Sequence, residues 1–386
     1  MDVKQLDNTY IANTYGRFPI IAVSGKGALV RDDEGKEYID LGSGIAVDSF
    51  GICDEEWIKA VEEQLHKIQH LSNLYYTEPQ AKLAQMLCEK TGMKKVFFGN
   101  SGAEANECAI KCARKYSSDK YGEGRSTIIT LINSFHGRTM ATLSATGQES
   151  MHVNFGPFLE GFKYAPANDF AALESMCDDK VCAIMIELVQ GEGGVNPLDK
   201  DYVASLAKFC AERDILLIID EVQTGNGRTG TLYAYMQYGI TPDIVTTAKG
   251  LAGGLPLGCA ILGEKVESTL SAGTHGSTFG GNPICAAGAV NILSRIDDEL
   301  MSEVTRKSEY IKAELETSAG VKSVTGLGLM IGIETSRNAK EIAQECLEKG
   351  VIVLTAKSKI RLLPPLNIKQ EELEKAIQIL KGVIAQ

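Results

Sequence analysis

The apolar run Ile215-Leu216-Leu217-Ile218-Ile219 ends in the carboxylate of Asp220, followed by Glu221, Val222 and Gln223. A strand buried on both faces that terminates in aspartate delivers a charge to the carboxyl edge of a parallel sheet, where ligands of open α/β folds bind. At the end of the next apolar run, Lys249 sits between small residues in Thr247-Ala248-Lys249-Gly250. Each feature alone has an ordinary reading, a solvated strand end or a surface lysine. Together they supply what pyridoxal phosphate (PLP) chemistry requires. An amine bonds covalently to the cofactor aldehyde, and an acid keeps the pyridine nitrogen protonated so that the ring draws electrons from the substrate.

A third element is the turn Asn100-Ser101-Gly102-Ala103, which opens a helix after a short apolar strand. Free backbone amides at a helix start, with no side chain on Gly102 to block approach, suit a phosphate. Taken alone, Ser or Asn before a helix is a plain N-cap.

Other motifs point elsewhere and fail on context. Gly225-Asn226-Gly227-Arg228-Thr229-Gly230 matches the dinucleotide-binding GxGxxG, which makes a nicotinamide dehydrogenase a rival class. The pattern requires an amphipathic helix opened after the first strand of a βαβ unit and an acidic residue about 20 positions on, whereas here it stands late in the chain and runs into TLYAYMQYG. His66 and His70 lie four apart on a helical stretch but lack a third ligand or the Glu of HExxH, so no metal site is expected. Glu187 reads as a structural strand end. In Gly191-Glu192-Gly193-Gly194 the glycines on both sides of one glutamate suggest a side chain that moves.

These residues must be placed by a large fold. A chain of 386 residues with 44% hydrophobic content exceeds the length at which single cores tend to split, so two domains are expected. Short apolar strands over 95–98, 127–131, 183–187, 215–220, 244–246 and 258–262 alternate with amphipathic helices, the pattern of a mostly parallel sheet covered on both faces. The helix over 103–116 aligns Ala105, Cys108, Ala109, Cys112, Ala113 and Tyr116 in one stripe. The sequence GALVRDDEGKEYIDLGSG reads as two short strands around a turn, and the rhythm changes again after about Val290. A small domain built from both chain ends around a large central one is the simplest assembly, divided as 1–46, 47–289 and 290–386.

The formal charge of −11 argues against nucleic-acid or acidic-membrane partners. Ten cysteines without a CxxC pair read as small buried hydrophobes. The amino-terminal MDVKQLDNTY lacks the order of a secretory signal, and no apolar run reaches about 18 residues, so a cytoplasmic protein is expected.

The stretches FFGNSGAEANECAIK, NSFHGRT, VQGEGG, IIDEVQTGNGRTG, TTAKGLAGGLPLG, HGSTFGGNP and GLGLMIGIE, in this order, resemble the class III aminotransferases of PLP fold type I. The resemblance implies an α/β large domain with a mostly parallel seven-stranded sheet and a small α+β domain. It implies that Ser101, Gly102 and Ala103 bind the PLP phosphate, that Phe135 stacks on the ring with Val222 on its other face, and that Gln223 bonds the ring hydroxyl. Glu221 is counted with these cofactor residues. Thr278 would reach the phosphate of a neighbouring subunit, with Ser277 beside it near the substrate, which makes a homodimer part of the site.

On the substrate side, the resemblance implies that Arg138 clamps the carboxylate of an acylated ornithine and that Arg361 takes an α-carboxylate. Glu192 would pair with Arg361 until glutamate or 2-oxoglutarate enters, and Tyr15 holds the substrate-side aromatic position. The implied reaction moves the δ-amino group of N2-acetylornithine to 2-oxoglutarate, giving N-acetylglutamate 5-semialdehyde and glutamate, a step of arginine biosynthesis. Ornithine, 4-aminobutyrate and succinylated relatives remain alternative donors, because Lys249, Asp220 and Gln223 are common to all. The chain departs from the family at Glu187-Leu188, where Glu-Pro is common, and at Gly51-Ile52-Cys53-Asp54, where a His-rich turn is common.

Overall fold

A computed structural model describes residues 2–386. Its largest sheet has seven strands in the order Lys95–Gly99, Gly258–Leu262, Ile244–Thr247, Leu216–Asp220, Val181–Ile186, Thr127–Leu131 and Phe162–Ala165. Gly258–Leu262 runs antiparallel to both neighbours, and the other pairings are parallel. Val181–Ile186, Leu216–Asp220 and Ile244–Thr247 are buried at every position, which is why they read as continuous apolar runs rather than alternating ones. Six strands lie where the spacing predicts. The seventh, Phe162–Ala165, is a short edge strand in which only the last residue is fully buried, so its apolar signal is weak.

Ser101 caps the helix Gly102–Tyr121, accepting a hydrogen bond from the Glu104 amide. Its stripe of Ala105, Cys108, Ala109, Cys112 and Ala113 is fully buried, and these small side chains let it pack closely on the sheet. Seven of the ten cysteines are buried as expected, while Cys53 is exposed.

Both chain ends meet in a second unit. The strand Glu37–Asp40 pairs antiparallel with Leu29–Asp32 and parallel with Val351–Ile352. A four-stranded sheet made of Val321–Leu327, Met330–Thr335, Lys359–Leu362 and Leu354–Ala356 packs with the helices Asp298–Glu316, Ala339–Glu348 and Gln370–Ile384 around its own core. A helix over Val3–Tyr10, which the apolar spacing does not announce, has no buried residue.

The two units meet at unusual backbone. Ser43, Gly44, Ile45 and Ala46 all have positive φ, between 46° and 66°. Such a left-handed turn is disfavoured by roughly 1–2 kcal/mol for each non-glycine residue. It packs beside Lys249, whose own φ is 46°. Gly250 is required there, because a Cβ would lie 2.6 Å from the Ser49 hydroxyl. Backbone strain of this kind persists where surrounding structure enforces it, commonly at functional sites.

Candidate active site

The carboxyl ends of the central strands open into a cavity of about 470 Å³ that brings together Ser101, Gly102, Ala103, Phe135, Arg138, Asp220, Val222, Gln223 and Lys249. Asp220 ends its strand 4% exposed. Its Oδ2 accepts from Asn106 Nδ2 at 2.8 Å and lies 2.8 Å from His136 Nδ1, while its Oδ1 accepts from the Val222 amide. Burial alone would lower the His136 pKa, but the hydrogen bond and charge of Asp220, with Glu187, outweigh it and raise it. The carboxylate is thus fixed by three partners, the His136 imidazole, the Asn106 amide and the Val222 amide.

Lys249 leaves the strand Ile244–Thr247 and enters the cavity within its left-handed backbone. Burial pushes its amine below the ordinary lysine range, with Arg361 adding to the effect and Glu192, Asp220 and Glu187 opposing it. An amine that gives up its proton more readily is a better nucleophile and base near neutral pH.

At the helix start, the amides of Gly102 and Ala103 belong to the first turn, which has no intrahelical partners. Gly102 is dictated by Val222, whose Cγ1 would lie 2.7 Å from any Cβ at that position. The Glu104 carboxylate takes the Asn100 amide and the Ser101 hydroxyl, so Ser101 is already engaged as a cap.

Beside Gln223 of the cavity lining, Arg361 is buried on the strand Lys359–Leu362, and its Nη1 donates to Glu192 Oε1 at 2.5 Å and to Gln223 Oε1 at 3.2 Å. Burial would raise the Glu192 pKa, yet Arg361 overrides this and holds the carboxyl below the usual range. The glycines flanking Glu192 have a packing reason that the sequence reading lacked. A Cβ on Gly191 would lie 2.7 Å from Gln223, and one on Gly193 2.6 Å from the Asn133 carbonyl oxygen. Arg138 is exposed at the mouth, its guanidinium 5.5 Å from the Phe135 ring centroid.

Apart from Glu192 and Arg361, which adjoin the cavity through Gln223 without lining it, four expected residues lie outside the lining. Glu221 turns away from the cavity, and its fully buried carboxyl accepts from Thr224 Oγ1 and the Tyr235 amide, making it a structural group rather than a cofactor contact. Ser277 sits outside the wall, accepting from Asn100 Nδ2 at 3.2 Å and from the Gly280 amide. Thr278 is exposed on the same segment. Tyr15 is 68% exposed with the Arg17 guanidinium 5.4 Å from its ring centroid, away from the cavity of its own chain.

Conversely, Glu187, read from the sequence as a structural strand end, lines the cavity. It accepts from the amides of Phe135 and Gly191, and burial pushes its pKa up to about 7. His136 and Asn106 were also missed, although both stand inside the stretches NSFHGRT and FFGNSGAEANECAIK. His66 and His70 do not share a helix: Glu55–Leu65 ends before His66, and the His70 ring packs on Phe279.

A family model described as aminotransferase class-III matches residues 10–384. Acetylornithine aminotransferase of Haemophilus ducreyi is 52% identical over the whole chain and 98% of its own length. That of Methanocaldococcus jannaschii is 44% identical, covering 99% of this chain and 97% of its own. Among solved structures, ornithine aminotransferase from Toxoplasma gondii superposes with a TM-score of 0.95 at 31% identity, covering 99% of this chain and 94% of its own. N-acetylornithine aminotransferase from Stenotrophomonas maltophilia gives a TM-score of 0.86 at 35% identity, covering 99% and 98%. With the match running nearly end to end, the chain belongs to the class-III aminotransferase family and is a transaminase.

Proposed function

We propose that this enzyme transfers the δ-amino group of N2-acetylornithine to 2-oxoglutarate, using PLP held by Lys249 in a homodimer. PLP supplies an aldehyde that takes up the amino group and a ring that draws electrons from the carbon losing its proton. The residues fit that group. Gly102 leaves a cradle that a Cβ would fill, beside the first-turn amides for phosphate. Asp220 presents a buried carboxylate for the ring nitrogen, and Phe135 and Val222 offer apolar faces for the ring. Lys249 would hold the cofactor through its aldehyde and would take up the proton that leaves the substrate, for which its lowered pKa suits it.

The observation that supports the substrate assignment is that the Arg361–Glu192 pair adjoins the cavity through Gln223, while a second, exposed arginine, Arg138, lines it. Acetylornithine has one carboxylate and an uncharged amide, so it takes Arg138 and leaves the pair intact. Glutamate brings a second carboxylate, which displaces Glu192 from Arg361. Guanidinium suits both contacts through its bidentate fork. The 0.95 TM-score with an ornithine aminotransferase favours ornithine as second reading. Comparing kcat/KM for acetylornithine, ornithine and 4-aminobutyrate decides among them, and acetylornithine is expected to lead.

Dimerisation is supported by an exposed apolar patch, Leu71, Leu74, Tyr75, Tyr76 and Phe279, around Thr278. Asn73 ties this patch together by donating to the carbonyls of Ser277 and Gly280. Domain limits near residues 46 and 290 and a cytoplasmic location complete the reading, the latter supported by ten free cysteines.

A further inference from the structure

The GxGxxG-like turn at residues 225–230 follows the strand that carries Asp220 and contributes no residue to the lining of the active-site cavity. It bonds instead in two directions. Asn226, 2% exposed with φ of 57°, donates from Nδ2 to Thr247 Oγ1 at 3.0 Å and to the Ala248 carbonyl at 3.1 Å, the two residues just before Lys249. Arg228, also 2% exposed, donates from Nη1 to the carbonyls of Leu329 and Pro364, at 3.2 and 2.5 Å. The Leu329 amide returns a hydrogen bond to the Arg228 carbonyl at 2.9 Å.

The far partners are informative. Leu329 precedes the strand Met330–Thr335, and Pro364 follows Lys359–Leu362; the two strands pair with Gly332 opposite Arg361. Arg228 therefore grips the ends of the two strands that present Arg361. Among the described residues no carboxylate lies within 4.0 Å of it, and burial pushes its pKa down to about 9. A buried cation held by carbonyls alone contributes little stability that an apolar side chain would not match. What a planar, multi-donor guanidinium adds is geometry, because one group can fix two chain segments at once.

We propose that Asn226 and Arg228 are positioning residues, a strut that holds Arg361 at its working distance from Lys249. The inference rests on reading Arg361 as the α-carboxylate contact of glutamate and 2-oxoglutarate. Arg138 needs no strut, since it follows the strand Thr127–Leu131 of the same sheet whose strand Ile244–Thr247 leads into Lys249. Loosening the strut therefore weakens the dicarboxylate substrate and spares the acylated donor, a split that general destabilisation does not produce.

The test compares Arg228→Lys, Asn226→Ala and Arg361→Ala in the holoenzyme, measuring KM for 2-oxoglutarate and for acetylornithine. Calorimetric binding of glutarate to the protein freed of cofactor adds a readout independent of turnover. For both strut variants the 2-oxoglutarate KM and the glutarate Kd rise on the order of ten-fold, as small misplacements do, while the acetylornithine KM stays within about two-fold. Equal rises for both substrates, or none, while Arg361→Ala shows the split, overturn the strut alone. If Arg361→Ala shows no split, the reading of Arg361 falls and the strut with it. Should Arg228→Lys fail to fold, Asn226→Ala decides by the same criteria from the other end of the turn.

Discussion

Arg361 and Glu192 meet Nη1 to Oε1 at 2.5 Å although 169 positions separate them, one on a buried strand and the other on a glycine loop. The guanidinium side chain is 4% exposed and the carboxylate 28%, so the pair is largely withdrawn from water with the flexible member nearer the solvent. Separating them leaves a charge that must find another partner, and a substrate carboxylate is such a partner.

The half-reactions should therefore respond in opposite directions. Removing one member of a buried charged pair costs roughly 2–5 kcal/mol. Arg361→Ala is expected to slow the glutamate half-reaction far more than the acetylornithine half. Glu192→Ala should favour glutamate by leaving Arg361 free. Single-turnover absorbance changes for each half-reaction check this, and equal losses in both halves for both variants would sink the exchange.

Lys249→Ala should abolish turnover and the yellow colour of the holoprotein, because both the covalent link and the proton carrier are lost. Asp220→Asn should retain the cofactor but lose most of the rate, since a neutral amide does not hold the ring nitrogen protonated. The His136 imidazole 2.8 Å from Asp220 makes this substitution more disruptive than a surface one. Full activity in the asparagine variant would remove Asp220 from its role.

Lys249 and Asp220 were legible because strand ends announce themselves through apolar runs that stop at a charge. The central strands were legible for the same reason. Glu187 was misread because what makes it part of the site is the pair of amides of Phe135 and Gly191, which come from separate loops. Glu221 does not join the cavity because adjacent strand-end residues point in opposite directions, so Asp220 facing the cavity sends Glu221 into the core behind it. The helix Val3–Tyr10 carried a local signal, the reciprocal Asp2 and Gln5 cap, but no buried face to betray it.

Thr278→Ala should weaken cofactor retention without unfolding the chain. In the proposed homodimer one hydroxyl contact across the subunit boundary would be lost, worth about 0.5–1.5 kcal/mol net. The residue is exposed within its own chain, so a monomer would not feel the change. Sedimentation at assay concentration alongside PLP release rates measures both points, and a fully active monomer contradicts the assignment.

Stability of the cofactor-free protein should fall as pH rises from about 5 to 7. Burial raises the carboxyls of Glu187 and Glu221 from 4.5 to about 7 in the folded chain. Below 4.5 both folded and unfolded states hold these protons and their contribution is fully present. Between 4.5 and 7 the unfolded chain has released two protons that the folded chain retains, so the unfolding free energy declines with pH, by roughly 1.4 kcal/mol per pH unit for each proton. Above 7 both states are ionised and the slope from these groups ends. Glu187→Gln, which keeps an oxygen for one of the two amide donors, should remove one proton from the balance and about half of the decline. Urea midpoints across this range provide the comparison, and a wild-type profile that is flat or rises between pH 5 and 7 would show that these two carboxyls do not stay protonated in the folded chain.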